Sequence, residues 1–311
     1  MPVTVPDPTA LRPFGPTGRH VTPLCLGCAP LGDMVDTFAY SVPEDRALAT
    51  VRAFFQSPIN FLDTAAAYGD GESERRIGLV VRELGGVPAG YVLGTKADRS
   101  LQTGEFSGAQ ARRSVQNSLD RLGLRTLPIC YLHDPEYSTW ETITAPGGAL
   151  AVLRELTADG VIEHLGVAMG PIDLTMRYVE LGCFEAVITH NRYTLLNREA
   201  EPLLDQAARR GMAVLNAAPY GSGLLAKGPS AYPRYMYDVA PASYLERARQ
   251  MEASCARHGV PLAAAALQFS LRDPRITSTI VGMTRPERFE QTIALARTPV
   301  PEELWQEILT I

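Results

Sequence analysis

Four ionisable side chains stand where short apolar runs end. Asp63 closes INFLD, Lys96 closes YVLGTK and His133 closes ICYLH, while Tyr68 follows Asp63 by five residues in DTAAAYGDGESE. Taken singly, each has an ordinary reading: an aspartate at a strand end caps a helix or turn, a lysine is solvated, a histidine is structural. Together they are complementary. A phenol has an unperturbed pKa of about 10 and needs help to exchange protons near neutrality, and an adjacent ammonium favours the phenolate. Lys96 supplies that charge, Asp63 holds Lys96 charged and in place, and His133 hydrogen-bonds the reacting oxygen or relays its proton. The chemistry of such a set is proton transfer at a hydroxyl or carbonyl oxygen of a small molecule.

The elements that position them follow a regular pattern. Apolar runs at 24–27, 59–63, 91–96, 129–133, 164–169, 186–190, 213–217 and 279–282 read as buried strands, each followed by a segment of helical periodicity. Helices are expected to start near Pro43, Glu72, Gly108, Gly147, Ile172, Glu199 and Pro261 and after Pro286, with an extra one from Ala242 to His258. Continuous apolar strands need cover on both faces, so eight strands alternating with helices predict an α/β fold, a closed (β/α)8 TIM barrel spanning 1–311 as a single domain. An open doubly wound sheet is the alternative. It wants G-x-G-x-x-G after its first strand, where this chain has LGCAPLGD; the Gly-rich YGSGLLAKG at 220–228 instead follows the seventh strand, where barrels often bind phosphate. Two long segments, 97–107 and 218–241, are expected to shape a substrate pocket, the second carrying Tyr220, Tyr232, Tyr235 and Tyr237.

Composition narrows the function classes. Hydrophobic residues make up 46% and charged residues 20%, with a formal net charge of −5, which disfavours nucleic-acid partners. The longest apolar stretch, around Val260 to Leu267, falls well short of the roughly 18 to 20 residues of a membrane span. MPVTVPDPTALRPFG lacks a basic flank and an apolar core, so a cytoplasmic location is expected. The five cysteines, at 25, 28, 130, 183 and 255, read as reduced core residues. Cys25 and Cys28 form a C-x-x-C without a second pair or a suitably spaced histidine, and no metal site is expected.

Longer stretches resemble the aldo-keto reductase superfamily. NFLDTAAAYGDGESERRIG is similar to the family's Asp/Tyr motif, VLGTK to its lysine strand, SVQNSLDRLGLRTLPICYLHDPE to its helix and histidine strand, and ALAVLRELTADGVIEHLGVAM to the following unit. RYTLLNRE and VLNAAPYGSGLLAKG resemble the sixth-strand and seventh-strand motifs, so the likeness covers nearly the whole chain. It implies a catalytic tetrad of Asp63, Tyr68, Lys96 and His133 and hydride transfer with NAD or NADP. It further implies cofactor contacts from Asp63, Met169, His190, Ala218, Tyr220, Gly221 and Ser222, and adenosine-end contacts from Gly282, Met283, Thr284, Arg288, Gln291 and Thr292. His190 stands at the family's amide-binding glutamine position, with either a carboxamide-binding or a structural role.

Departures from the family pattern bear on cofactor and direction. Ala217 stands where many members carry a tyrosine that stacks on nicotinamide. Gly282 and Met283 replace a lysine and a serine common in NADP-preferring members, although Arg288 is retained. Charge-assisted contacts to a 2′-phosphate contribute on the order of 1.5 to 3 kcal/mol each, so the expected cofactor is NAD, with NADP the alternative. NAD implies the oxidative direction, with Tyr68 as general base. LHDPE, RYTLLNREAEPLL and NAAPYGSGLLAKGP are similar to the aldose 1-dehydrogenase branch, which includes D-threo-aldose (L-fucose) and L-galactose dehydrogenases. That likeness implies oxidation of a sugar's anomeric hydroxyl to a lactone by a monomer or small homo-oligomer. Pyridoxal 4-dehydrogenase and NADPH-dependent aldehyde reductase are the alternatives within the family. Trp140 and Tyr220 could face a sugar, core or loop packing being the other reading. Two readings come from other function classes: a non-catalytic, cofactor-binding regulatory barrel, against which the intact tetrad argues, and a Schiff-base aldolase using Lys96, which would not require Tyr68 in DTAAAYG or the adenosine-binding segment.

Overall fold

A computed structural model describes residues 7–311. Its centre is a closed, all-parallel barrel of strands β1 (Leu24–Gly27), β2 (Phe61–Asp63), β3 (Val92–Ala97), β4 (Ile129–His133), β5 (Leu165–Ala168), β6 (Ala186–His190), β7 (Ala213–Ala217) and β8 (Ser278–Gly282). The order around the barrel follows the chain, and β8 closes on β1 with Gly282 opposite Gly27. All eight expected strands are present, their ends displaced by two residues at most. Nearly every strand residue is buried, because one face lines the barrel interior and the other packs on helices.

The helical layer consists of α1 (Glu44–Phe54), α2 (Glu72–Glu83), α3 (Gly108–Leu122), α4 (Ala149–Ala158), α5 (Ile172–Glu180), α6 (Glu201–Arg209), α7 (Leu262–Leu271) and α8 (Arg288–Arg297). Local chemistry sets their ends. The Ser107 hydroxyl accepts from the Gln110 amide to cap α3, and Gly123 ends it at φ 72°. The extra helix is present as Ala242–Arg257.

Three features were not expected. The irregular N-terminal stretch contains a hairpin, Arg12–Pro13 paired with His20–Val21, whose strands are too short to leave a hydrophobic period. Its Phe14 is fully buried and meets Phe61 edge-on at 5.3 Å, so the hairpin plugs the N-terminal end of the barrel. A second hairpin, Arg234–Tyr235 with Asp238–Val239, lies inside the long 218–241 segment. A last helix, Glu302–Ile308, covers the layer with Leu304 and Trp305.

The hairpin at one end leaves the carboxyl ends of the strands as the open mouth. No helix among the described residues is long and apolar enough to cross a membrane.

Candidate active site

A cavity of about 1110 Å³ opens at the carboxyl ends of the strands. Asp63, Lys96 and His133 enter it because each is at or next to the last residue of its strand, where the chain leaves the sheet. Tyr68 arrives differently. It sits in the turn between β2 and α2, and that turn is held against the loop after β1 by unusually close backbone packing. A Cβ at Gly69, which has φ +64°, would lie 2.1 Å from the Gly32 carbonyl oxygen. The Ser73 hydroxyl donates to the Cys28 carbonyl at 2.9 Å, and the buried Arg76 guanidinium donates to the Leu31 and Val42 carbonyls at 2.7 and 2.8 Å. The DTAAAYGDGESE segment is therefore a rigid mount rather than a free loop.

The four side chains meet as expected. Lys96 Nζ donates to Asp63 Oδ2 at 2.7 Å, to the Thr64 carbonyl at 2.6 Å and to the Tyr68 hydroxyl at 3.1 Å. Lys96 and Asp63 are 2% and 3% exposed, so their charges interact with little screening by water. The His133 ring stands edge-on to Tyr68, with centroids 6.0 Å apart.

The electrostatics correct one expectation. Lys96 was expected to favour the Tyr68 phenolate, yet burial, with Asp63, Tyr237, Asp134 and Asp98 behind it, pushes the phenol well above its ordinary range. Lys96 gives its charge first to Asp63, so the phenol experiences a nearly neutral pair plus a surplus of carboxylates. The resting Tyr68 is therefore protonated. Burial also raises the Asp63 carboxyl, with Lys96 pulling it back. Burial opposes a charged His133, but Asp134 and Asp98 overcome it and hold the imidazole above its usual 6.5. His190 behaves oppositely: burial drops it to about 4, so it is a neutral ring.

From the tetrad the cavity runs towards α8. Met169, His190, Ala218, Tyr220, Ser222, Gly282, Thr284, Arg288 and Thr292 line it together with Asp63. Three implied cofactor residues do not. Gly221 is buried at φ +57° with the Tyr235 ring where its Cβ would be, the fully buried Met283 packs in the core, and Gln291 is exposed on the outer face of α8. Ala217 ends β7 at the cavity and carries no ring, while Tyr220 nearby is an aromatic lining residue. Trp140 does not line the cavity but packs at 4.7 Å against Tyr178 under the Arg177 guanidinium.

Several lining or supporting residues had escaped notice. Arg46, Lys227 and Arg285 join the expected Arg288 in lining the end near α8, whereas among the described residues the only lining carboxylates, Asp63 and Asp134, lie beside Lys96 and His133. Lys227 stacks over Tyr232 at 4.1 Å and Tyr40 at 5.1 Å, a placement only the fold reveals. The long 218–241 segment reaches across to the loop after β1, where Tyr237 meets Phe38 edge-on at 5.8 Å and the Tyr232 hydroxyl donates to the Phe38 carbonyl. Asp134, with φ 43°, follows His133 directly, and its carboxylate lies 3.6 Å from His133 Nε2. Asp98, two residues beyond Lys96, contacts the other ring nitrogen. Their signal in the sequence was slight: each is a polar residue just past a strand end.

A nicotinamide dinucleotide fits these residues. The cationic, carboxylate-free end suits its phosphates, and the consecutive left-handed Gly221, Ser222 and Gly223 turn the backbone sharply after β7.

The comparisons agree with this picture. The aldo/keto reductase family profile matches residues 23–311. Pyridoxal 4-dehydrogenase of Microbacterium luteolum is 30% identical, over 94% of this chain and 95% of that protein. D-threo-aldose 1-dehydrogenase of Pseudomonas sp is 30% identical over 94% of each, and L-galactose dehydrogenase of Arabidopsis thaliana 30% identical over 91% of this chain and 87% of its own. An aldo-keto reductase of Bacillus halodurans, solved in its holo form, superposes with a TM-score of 0.75 at 23% identity, covering 96% of this chain and 95% of its own. The chain therefore belongs to the aldo/keto reductase family and is an NAD(P)-dependent oxidoreductase.

Proposed function

We propose that the protein oxidises the C1 hydroxyl of an aldose of the L-fucose, L-galactose or D-threo type to the lactone, with NAD as cofactor. The 3.1 Å contact between Lys96 Nζ and the Tyr68 hydroxyl, buried beside His133 at the floor of the cavity, carries the acid–base chemistry, and the likeness to the D-threo-aldose and L-galactose dehydrogenases supports the substrate class. Asp63, Tyr68, Lys96 and His133 are the proposed catalytic residues. The bound dinucleotide supplies the hydride acceptor. Tyr68 first loses its phenol proton to solvent, Lys96 stabilises the phenolate so formed by its hydrogen bond, the phenolate then takes the substrate hydroxyl proton and returns to the phenol, and Asp63 holds Lys96 in place. His133 donates to the substrate oxygen, orienting it towards Tyr68.

The protonated resting state of Tyr68 gives this reading a pH signature: oxidation becomes faster as the pH rises, because removal of the phenol proton precedes the step. The polar lining groups Asp134, beside His133, and Arg99 suit a polyhydroxylated substrate better than an apolar one. We place the substrate-discriminating segments at 97–107 and 218–241, which supply Arg99, Leu101 and Tyr237 to the lining.

One observation favours NADP as a second cofactor. Arg285, Arg288 and Lys227 line the far end without a lining carboxylate to neutralise them. Against it, Gly282 offers no side chain and Met283 turns into the core, so neither contributes to a 2′-phosphate site. The test is a panel of aldoses and pyridoxal with NAD and NADP, followed by nicotinamide absorbance. Turnover of an aldose with NAD is the expected result. Turnover of pyridoxal alone overturns the substrate, and preference for NADP overturns the cofactor.

A further inference from the structure

We propose that Asp98 is a positioning residue that registers the two proton-handling side chains against each other, fixing the His133 tautomer with one carboxylate oxygen and anchoring the Tyr68 turn with the other. This rests on the reading of Tyr68 and His133 as acid–base groups.

The geometry is specific. Asp98 Oδ1 lies 2.5 Å from His133 Nδ1, and Oδ2 accepts the Ala67 backbone N–H at 2.8 Å, one residue before Tyr68. The residue is itself held: its N–H donates to the Ser114 hydroxyl at 2.9 Å and its carbonyl accepts from the Gln110 amide at 3.1 Å, both from α3. At 2% exposure it is shielded from water. A carboxylate facing Nδ1 accepts only if that nitrogen carries a proton, so Nδ1 is the donor and Nε2 is left to face the cavity.

The surroundings decide the ring's charge in the same direction. Asp98 faces it from the segment after β3, and Asp134 and Glu136 from the segment after β4. Asp63 and Lys96 face it from β2 and β3 as an already paired couple, Tyr68 from the turn and neutral His190 from β6. The unpaired surplus is negative, which favours the imidazolium. His133 is thus built to donate from both nitrogens, to Asp98 on one side and to substrate oxygen on the other, leaving proton removal to Tyr68.

The test is nitrogen-15 NMR of the histidine side chains of the full-length protein, with His133→Asn identifying the His133 signals among the five histidines. In the wild type, Nδ1 is expected to keep its proton on the alkaline side of the titration. In Asp98→Asn, whose amide keeps the Ala67 contact but turns N–H groups towards Nδ1, the proton is expected to move to Nε2 and the midpoint to fall. With a turned-over substrate, the neutral Nε2–H still donates to the substrate oxygen but without the imidazolium's charge, so kcat is expected to drop by about 10-fold while the cofactor dissociation constant holds. A wild-type His133 that is protonated at Nε2 when neutral overturns the proposal even if the variant does not fold. So does an Asp98→Asn variant with unchanged tautomer and midpoint. Near-normal turnover of Tyr68→Phe overturns the acid–base reading instead, and leaves the tautomer result standing.

Discussion

Replacing Lys96 with methionine isolates the electrostatics on which the site depends. Methionine retains most of the buried stem and deletes the ammonium, with its three hydrogen bonds to Asp63, Thr64 and Tyr68. Asp63 is then left 3% exposed with no partner among the described residues, because its other oxygen, Oδ1, has none there in the unsubstituted protein. Removing one member of a buried pair costs about 3 to 5 kcal/mol, the penalty of an uncompensated charge. Asp63 can escape by taking a proton, and burial already raises its pKa. The folded variant then binds a proton that the unfolded chain does not, so once the folded acid is protonated its deficit shrinks by about 1.4 kcal/mol per unit as the pH falls, down to the ordinary aspartate pKa of about 3.9. Asp63→Asn combined with Lys96→Met removes the charge altogether and should recover most of the loss. Urea denaturation, followed by tryptophan fluorescence at pH 8, 7 and 6, measures all three quantities. A deficit under about 1 kcal/mol at pH 8, a deficit independent of pH, or a double variant no more stable than Lys96→Met would refute the reasoning.

Three further outcomes follow from the same structure. His190, neutral with a pKa of about 4, makes the folded state lose stability as the pH falls below 6.5, since only the unfolded chain takes up the proton. His190→Gln should therefore gain on the order of 1 to 2 kcal/mol over wild type at pH 5 relative to pH 8, and parallel pH profiles would contradict this. Gly69→Ala places a methyl on the Gly32 carbonyl and strains a left-handed residue, so it should cost about 1 to 3 kcal/mol and displace Tyr68. The matching readout is a fall in kcat with little change in cofactor affinity. Arg288→Met and Lys227→Met should each weaken dinucleotide binding by about 10-fold to 100-fold, with a shallower salt dependence, measured by quenching of protein fluorescence.

The barrel and the convergence of Asp63, Lys96 and His133 were legible because both are properties of strand ends. Continuous apolar runs imply strands covered on two faces, and the first polar residue after each run, as at Asp63, Lys96 and His133, falls at the mouth. Elements without a period were invisible, such as the two-residue strands of the plug around Phe14. The direction of the Tyr68 shift was misjudged because sequence shows Lys96 as a charge but not its 2.7 Å bond to Asp63, which consumes that charge. Asp98 and Lys227 were missed for the same reason. Each is an ordinary surface residue type until the fold sets Asp98 against His133 and Lys227 against Tyr232. Met283 shows the converse, a motif position whose side chain the fold turns into the core.

The most direct test of the account is turnover by Tyr68→Phe, with an aldose and NAD at pH 7 to 10, alongside a cofactor titration. The variant keeps the ring against His133 and loses only the hydroxyl that Lys96 contacts. The account predicts a loss of about 10² to 10⁴ in kcat, a cofactor dissociation constant within a few-fold of wild type, and disappearance of the alkaline rise in rate. A variant that turns over at near wild-type rate with the same pH profile would contradict it.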